Sequence, residues 1–154
     1  MIMKFILFLI INFTALGIGG LLMGKGANSE WYQALNKAPW TPPGWVFGAA
    51  WTLIMVCFSL YMAKAWNIIN NHKILILLFV LQWILNVSWN PSFFRYHEVL
   101  LGLVIISLLT ILIGYLLFRY VGQIKLWSIF ILPYFIWLLI ATSLNAYIYF
   151  KNQE

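Results

Sequence analysis

VLLGLVIISLLTILIGYLLF, residues 99–118, is an apolar run of twenty residues with no charge and no proline. A helix rising about 1.5 Å per residue needs about 20 apolar residues to cross the hydrocarbon core of a bilayer, so this stretch has the length of one span. An open strand would leave its backbone amides and carbonyls unpaired in lipid, which makes helix the required conformation. Comparable runs cover Phe5 to Met23, Trp45 to Ala65, Ile74 to Phe94, Val99 to Val121 and Ile124 to Phe150. They predict an all-α integral membrane bundle of five transmembrane helices, one domain over residues 1–154. Short connections between the later runs predict that sequential helices pack as antiparallel neighbours.

The composition agrees, since 64% of the 154 residues are hydrophobic and 8% are charged, against roughly 25% charged in an ordinary soluble domain. The nine Lys and Arg residues give a formal charge of +6 but stand singly at the ends of apolar runs. That pattern suits topology signals and lipid headgroup anchors, and it provides no nucleic-acid surface. The N-terminal run reaches Met23, long enough to span, and reads as a helix and not a cleaved leader. Lys4, Lys64, Lys73, Arg119 and Lys125 fall on one side, and Lys25, Lys37, Arg95 and Lys151 on the other. The bias predicts a cytoplasmic N-terminus.

One connection is long. Residues 24–44 carry Pro39, Pro42 and Pro43 together with Trp31, Tyr32 and Trp40. Long connections in compact folds are functional or disordered, and the aromatic content argues for an ordered lid over one end of the bundle.

Acid–base chemistry has little to work with. The chain has no Asp, its acids are Glu30, Glu98 and Glu154, and His72 and His97 sit in short loops beside Lys73 and Arg95, where solvent or headgroups are the expected surroundings. Cys57 is the single cysteine. No metal site and no required cofactor follow from such an inventory. Polar groups inside the spans are amides: Gln82, Asn86 and Asn90 recur every fourth residue and share one helix face. Two readings stand for that strip, interhelical hydrogen bonding and the lining of a cavity. Among the nine tryptophans, Trp31, Trp40, Trp66 and Trp127 lie near span ends or in loops, as an interfacial belt would, whereas Trp51, Trp83 and Trp137 lie inside spans. Trp51, Trp137, Asn86 and Asn90 are placed to converge on one cavity beneath the lid. Gly44 and Gly48, and Gly20 and Gly24, have G-x-x-x-G spacing, which admits a second backbone or leaves space beside Trp51.

Four segments, in order, resemble the translocator protein family, also called TspO, tryptophan-rich sensory proteins or peripheral-type benzodiazepine receptors. They are Trp31-Tyr32 through Lys37 to Trp40-Thr41-Pro42-Pro43-Gly44; Trp51; Gln82 through Asn86 to Trp89, Pro91 and Phe93-Phe94; and Pro133-Tyr134, Trp137 and Leu144-Asn145. The resemblance implies a five-helix homodimer in a bacterial cell membrane, in contact with lipid, whose first loop covers a pocket for porphyrins of the protoporphyrin IX type and for isoquinoline carboxamides. It implies that Trp51 and Trp137 carry light- and oxygen-dependent porphyrin breakdown, with porphyrin as ligand or substrate. Trp31, Tyr32, Pro42, Pro43, Gly44, Asn86, Trp89, Phe93, Tyr134, Ala141 and Asn145 would line the pocket. Leu144, Tyr147 or Tyr149, and Lys151 fit the family's sterol-recognition segment, but Ala146 stands where animal members have its first tyrosine. The alternative function is a transporter or stress-response regulator that binds without chemistry; internal repeats and helices broken at mid-membrane, which would favour transport, are not evident.

Overall fold

The computed structural model describes residues 1–153. Helix α1 runs over Ile2–Leu22, a short α2 over Glu30–Ala34, α3 over Gly44–Ile68, α4 over His72–Asn90, α5 over Val99–Ile124 and α6 over Leu132–Lys151. Five of these helices are long and apolar enough to cross a membrane, and the described residues contain no strand. The protein is an integral membrane helix bundle.

Helix ends follow local chemistry. Asn71 caps α4 by accepting from the Ile74 amide at 3.2 Å, and Ser29 caps α2 by accepting from the Tyr32 amide at 3.2 Å. Pro91 cannot continue the α4 ladder, and one π turn over Pro91–Arg95 carries the chain out. The last span begins later than the expected Ile124. Lys125 has φ +56°, a 3₁₀ segment covers Lys125–Phe130, and α6 opens at Leu132 with Pro133 in its first turn, where a missing N–H costs nothing. An apolar run alone does not locate such a break, because the break keeps its hydrophobicity.

The helices form a closed ring in the order α1, α4, α5, α6, α3, returning to α1. The expected packing of sequential spans holds for α4 with α5 and for α5 with α6, but α1 lies between α3 and α4. Phe8 of α1 is the wedge, with its ring 6.3 Å from Trp66 of α3 and 5.0 Å from Phe79 of α4. The connection Ile69–Asn71 is extended enough to allow it: three residues reach about 10 Å, the width of a helix.

Lipid is as apolar as the helix surfaces, so packing and interhelical hydrogen bonds hold the ring together. Asn12 donates to Ser59 at 2.8 Å, Trp83 Nε1 to the Ile11 carbonyl at 3.0 Å, Tyr61 to the Leu116 carbonyl at 3.0 Å and Tyr134 to Gln82 Oε1 at 3.0 Å. Gln82 and Trp83 are therefore tie points between helices.

Candidate functional site: a cavity beneath the lid

Residues 24–44 fold into a built structure at one end of the ring. The Trp31 ring stacks on His97 at 4.0 Å and meets Phe93 edge-on at 5.6 Å, while the buried Tyr32 packs on Phe94 at 5.4 Å. Burial pushes the Tyr32 hydroxyl up from its ordinary range. The Lys37 ammonium donates to the carbonyls of Tyr32 at 3.0 Å and Gln33 at 3.1 Å, closing the end of α2. Asn36 and Asn152 exchange two hydrogen bonds, at 2.9 and 3.2 Å, and Trp40 Nε1 donates to Ser143 at 3.1 Å, so the second half of the lid is fastened to α6. The two histidines do more than face solvent: His97 carries the Trp31 stack, and His72 stacks on Trp66 at 4.3 Å with Nε2 3.0 Å from the Trp66 carbonyl. Three of the supposed belt residues are occupied in the same way, Trp31 and Trp66 under histidine rings and Trp127 under the Lys64 ammonium at 5.0 Å.

Beneath the first half of the lid lies a cavity of about 620 Å³, within the range of about 300–1,000 Å³ typical of small-molecule sites. Helix α1 contributes Leu16 and Gly20, followed by Met23, and the lid contributes Lys25, Ala27 and Asn28. Helix α3 supplies Gly44, Trp45, Phe47, Gly48, Trp51 and Thr52, and α4 supplies Asn86, Trp89 and Asn90, followed by Phe94. A Cβ built on Gly20, Gly44 or Gly48 meets nothing within 4 Å, so these glycines widen the space and bring no second backbone close.

The expected site residues divide. Gly44, Trp51, Asn86 and Trp89 line this cavity. Tyr32, Phe93, Ala141 and Asn145 line a second space of about 20 Å³, too small for an organic guest, which shares Phe47 and Trp89 with the first. Trp31, Pro42, Pro43, Tyr134 and Trp137 border neither. Trp31 clamps the lid, Pro42 and Pro43 lead into α3, and Tyr134 is fully buried against Trp51 at 5.9 Å. Trp137 sits behind Phe47, the rings 5.4 Å apart and edge-on, and its buried Nε1 has no hydrogen-bond partner among the described residues. Phe47 and Trp51 are one turn apart on α3, and Tyr134 and Trp137 one turn apart on α6, so the four rings form a ladder leading from the cavity wall inward. Trp89 is held by its Nε1, which donates to Asn145 at 3.3 Å.

The amide strip also divides: Gln82 is a tie, whereas Asn86 and Asn90 face the cavity. Sequence reasoning missed Phe47, Lys25, Asn28 and Thr52. Phe47 was signalled by standing one turn before Trp51, and Lys25 by the glycines on either side of it.

Asn90 rests against the backbone of α1, where a Cβ on Gly19 would lie 2.6 Å from Asn90 Nδ2. Because the obstacle is the end of a side chain, Gly19→Ala is expected to turn the amide toward the cavity it borders. Thermal unfolding should then shift by no more than about 1 kcal/mol, the scale of a displaced rotamer, while the affinity of any molecule seated in the cavity falls severalfold; a large loss of stability with unchanged binding would show that the contact is structural.

These features define a class: a polytopic helical membrane protein with a lid-covered, aromatic-walled cavity. The sequence matches the TspO/MBR family over residues 7–150, and the chain belongs to that family. It is 34% identical over 144 residues to the tryptophan-rich protein TspO of Archaeoglobus fulgidus, covering 93% of this chain and 94% of that one. It is 33% identical over 135 residues to the tryptophan-rich protein TspO of Chlorobaculum tepidum, covering 85% of each. The human translocator protein is 25% identical over 132 residues, covering 83% of this chain and 78% of that protein.

Proposed function

We propose that this protein is a membrane receptor for porphyrins of the protoporphyrin IX type, able also to take isoquinoline carboxamides, and that it promotes light- and oxygen-dependent loss of the bound pigment. The observation that carries the reading is the cavity of about 620 Å³ with Trp51 and Trp89 in its wall. Flat aromatic faces suit a planar macrocycle through stacking and burial. The excited porphyrin takes one electron from the Trp51 indole, leaving a porphyrin radical anion and an indole radical cation. Dioxygen then adds to the macrocycle radical anion, one electron returns from that adduct to the indole radical cation, and the oxygenated macrocycle opens with both oxygen atoms retained as carbonyls. The protein supplies position and exclusion of bulk water, and no conventional acid or base is required. Trp137 acts through the ring ladder behind Phe47. In this reading the protein works as a homodimer in a bacterial cell membrane, with its N-terminus in the cytoplasm and the lid outside.

Illuminating the purified protein with protoporphyrin IX in air, beside a dark control and pigment in protein-free nanodiscs, tests the reading. Protein-dependent bleaching in the light alone is expected. Binding without bleaching would favour the second reading, a transporter or regulator without chemistry, which the name of the human relative supports.

A further inference from the structure

The cavity has a polarity that its aromatic walls do not explain. Lys25 is its one cationic lining residue, and the described acids, Glu30 and Glu98, are not part of its wall. Three other lysines are engaged: Lys4 donates to Asn67 at 2.9 Å, Lys37 closes α2, and Lys64 lies over Trp127, whereas among the described residues Lys73, Lys125 and Lys151 have no such contact but do not line the cavity. Among the described residues Lys25 has no such contact. Its position is built by two glycines in left-handed backbone, Gly24 at φ +65° and Gly26 at φ +54°. Side chains rarely adopt that conformation, and a Cβ on Gly26 would also lie 2.9 Å from Met23 Sδ. This double turn seats Lys25 at the cavity mouth with Asn28 beside it, an amide able to donate to the same anion. The start of α3 at Gly44 and Trp45, which has no side-chain cap, borders the same mouth and adds potential of the same sign. From Gly44 to Trp51 the cavity extends about 10 Å along α3, at about 1.5 Å per residue, from this positive rim to an aromatic floor.

We propose that Lys25 and Asn28 form a carboxylate-recognising rim, and that the cavity selects amphipathic organic acids, the carboxylate held at the rim and the apolar body lying along Trp51 and Trp89. The assignment rests on the porphyrin reading and narrows it to tetrapyrroles that carry a free carboxylate.

Protoporphyrin IX and its uncharged dimethyl ester share one macrocycle, so titrating both into the full-length protein in zwitterionic nanodiscs, with protein-free discs subtracted, isolates the charge. The parent should bind the acid more tightly by about fivefold, the size of one partly exposed ion pair. Lys25→Gln should remove the preference by weakening the acid alone, and Lys25→Arg should keep it. An ester that binds the parent as tightly as the acid overturns the proposal. So does a Lys25→Gln variant that weakens both equally, or one that leaves the ratio unchanged, as an anchor for lipid headgroups would. If neither pigment binds, the porphyrin reading fails, and the rim is judged separately with oleate against methyl oleate on the same proteins. A preference for oleate that disappears in Lys25→Gln upholds the rim, and equal binding of acid and ester refutes it.

Discussion

Replacing Trp51 with Phe is expected to slow light-driven bleaching of bound protoporphyrin by at least about tenfold, a barrier increase of about 1.4 kcal/mol, while affinity changes by only about 1 kcal/mol. The asymmetry follows from chemistry. Phenylalanine keeps a flat apolar ring against the pigment, but it is far harder to oxidise than indole. Trp51 borders the cavity directly, whereas Trp137 stands behind Phe47 with its ring 5.4 Å away. The Trp137→Phe variant should therefore leave affinity closer to the parent value and still lower the rate. Binding and bleaching are to be measured on the same preparations. If both variants bleach the pigment at the parent rate, these tryptophans are packing residues and the protein binds without chemistry.

The second large effect is structural. Phe58 is fully buried and meets Tyr134 at 5.2 Å, Phe79 at 6.1 Å and Tyr61 at 6.2 Å, so it touches α6, α4 and its own helix from the middle of the ring. Phe58→Ala is expected to destabilise the bundle by about 3 kcal/mol through loss of packing into a cavity that its neighbours cannot fill. Phe118, 68% exposed on the lipid side, provides the control. Phe118→Ala should cost far less, because lipid replaces the contacts it loses. Equal shifts in thermal unfolding for the two variants would show that the ring interior is not the stabilising core.

Hydrophobicity made the five spans legible, and proline and aromatic content made the lid legible, because both signals are local. Ring order is not a local property. The position of α1 between α3 and α4 depends on Phe8 fitting between Trp66 and Phe79, and run lengths carry no trace of that fit. The start of α6 was hidden for a related reason, since the turn at Lys125 leaves the apolar run intact. In the site, the four-residue spacing placed Gln82, Asn86 and Asn90 on one face, but it could not show that Tyr134 captures Gln82 while the other two reach the cavity. Trp137 was legible as deep and not as screened, because the screen is Phe47, a residue on another helix.

The first helix is fastened unevenly. Lys4, Phe8, Ile11 and Asn12 in its first half hold it to α3 and α4, whereas Leu16 and Gly20 in its second half face the cavity. Gly17, Gly19 and Gly20 lie within this second half, and glycine is the residue that least stiffens a helix. In mechanical terms α1 is a stave clamped at its foot by side-chain ties and seated at its head only where Gly19 meets Asn90. An outward displacement of the upper stave would enlarge the cavity without disturbing the Asn12–Ser59 bond or the rings around Phe58. The size of the cavity is thereby separated from the stability of the bundle, because the base beneath it stays the same.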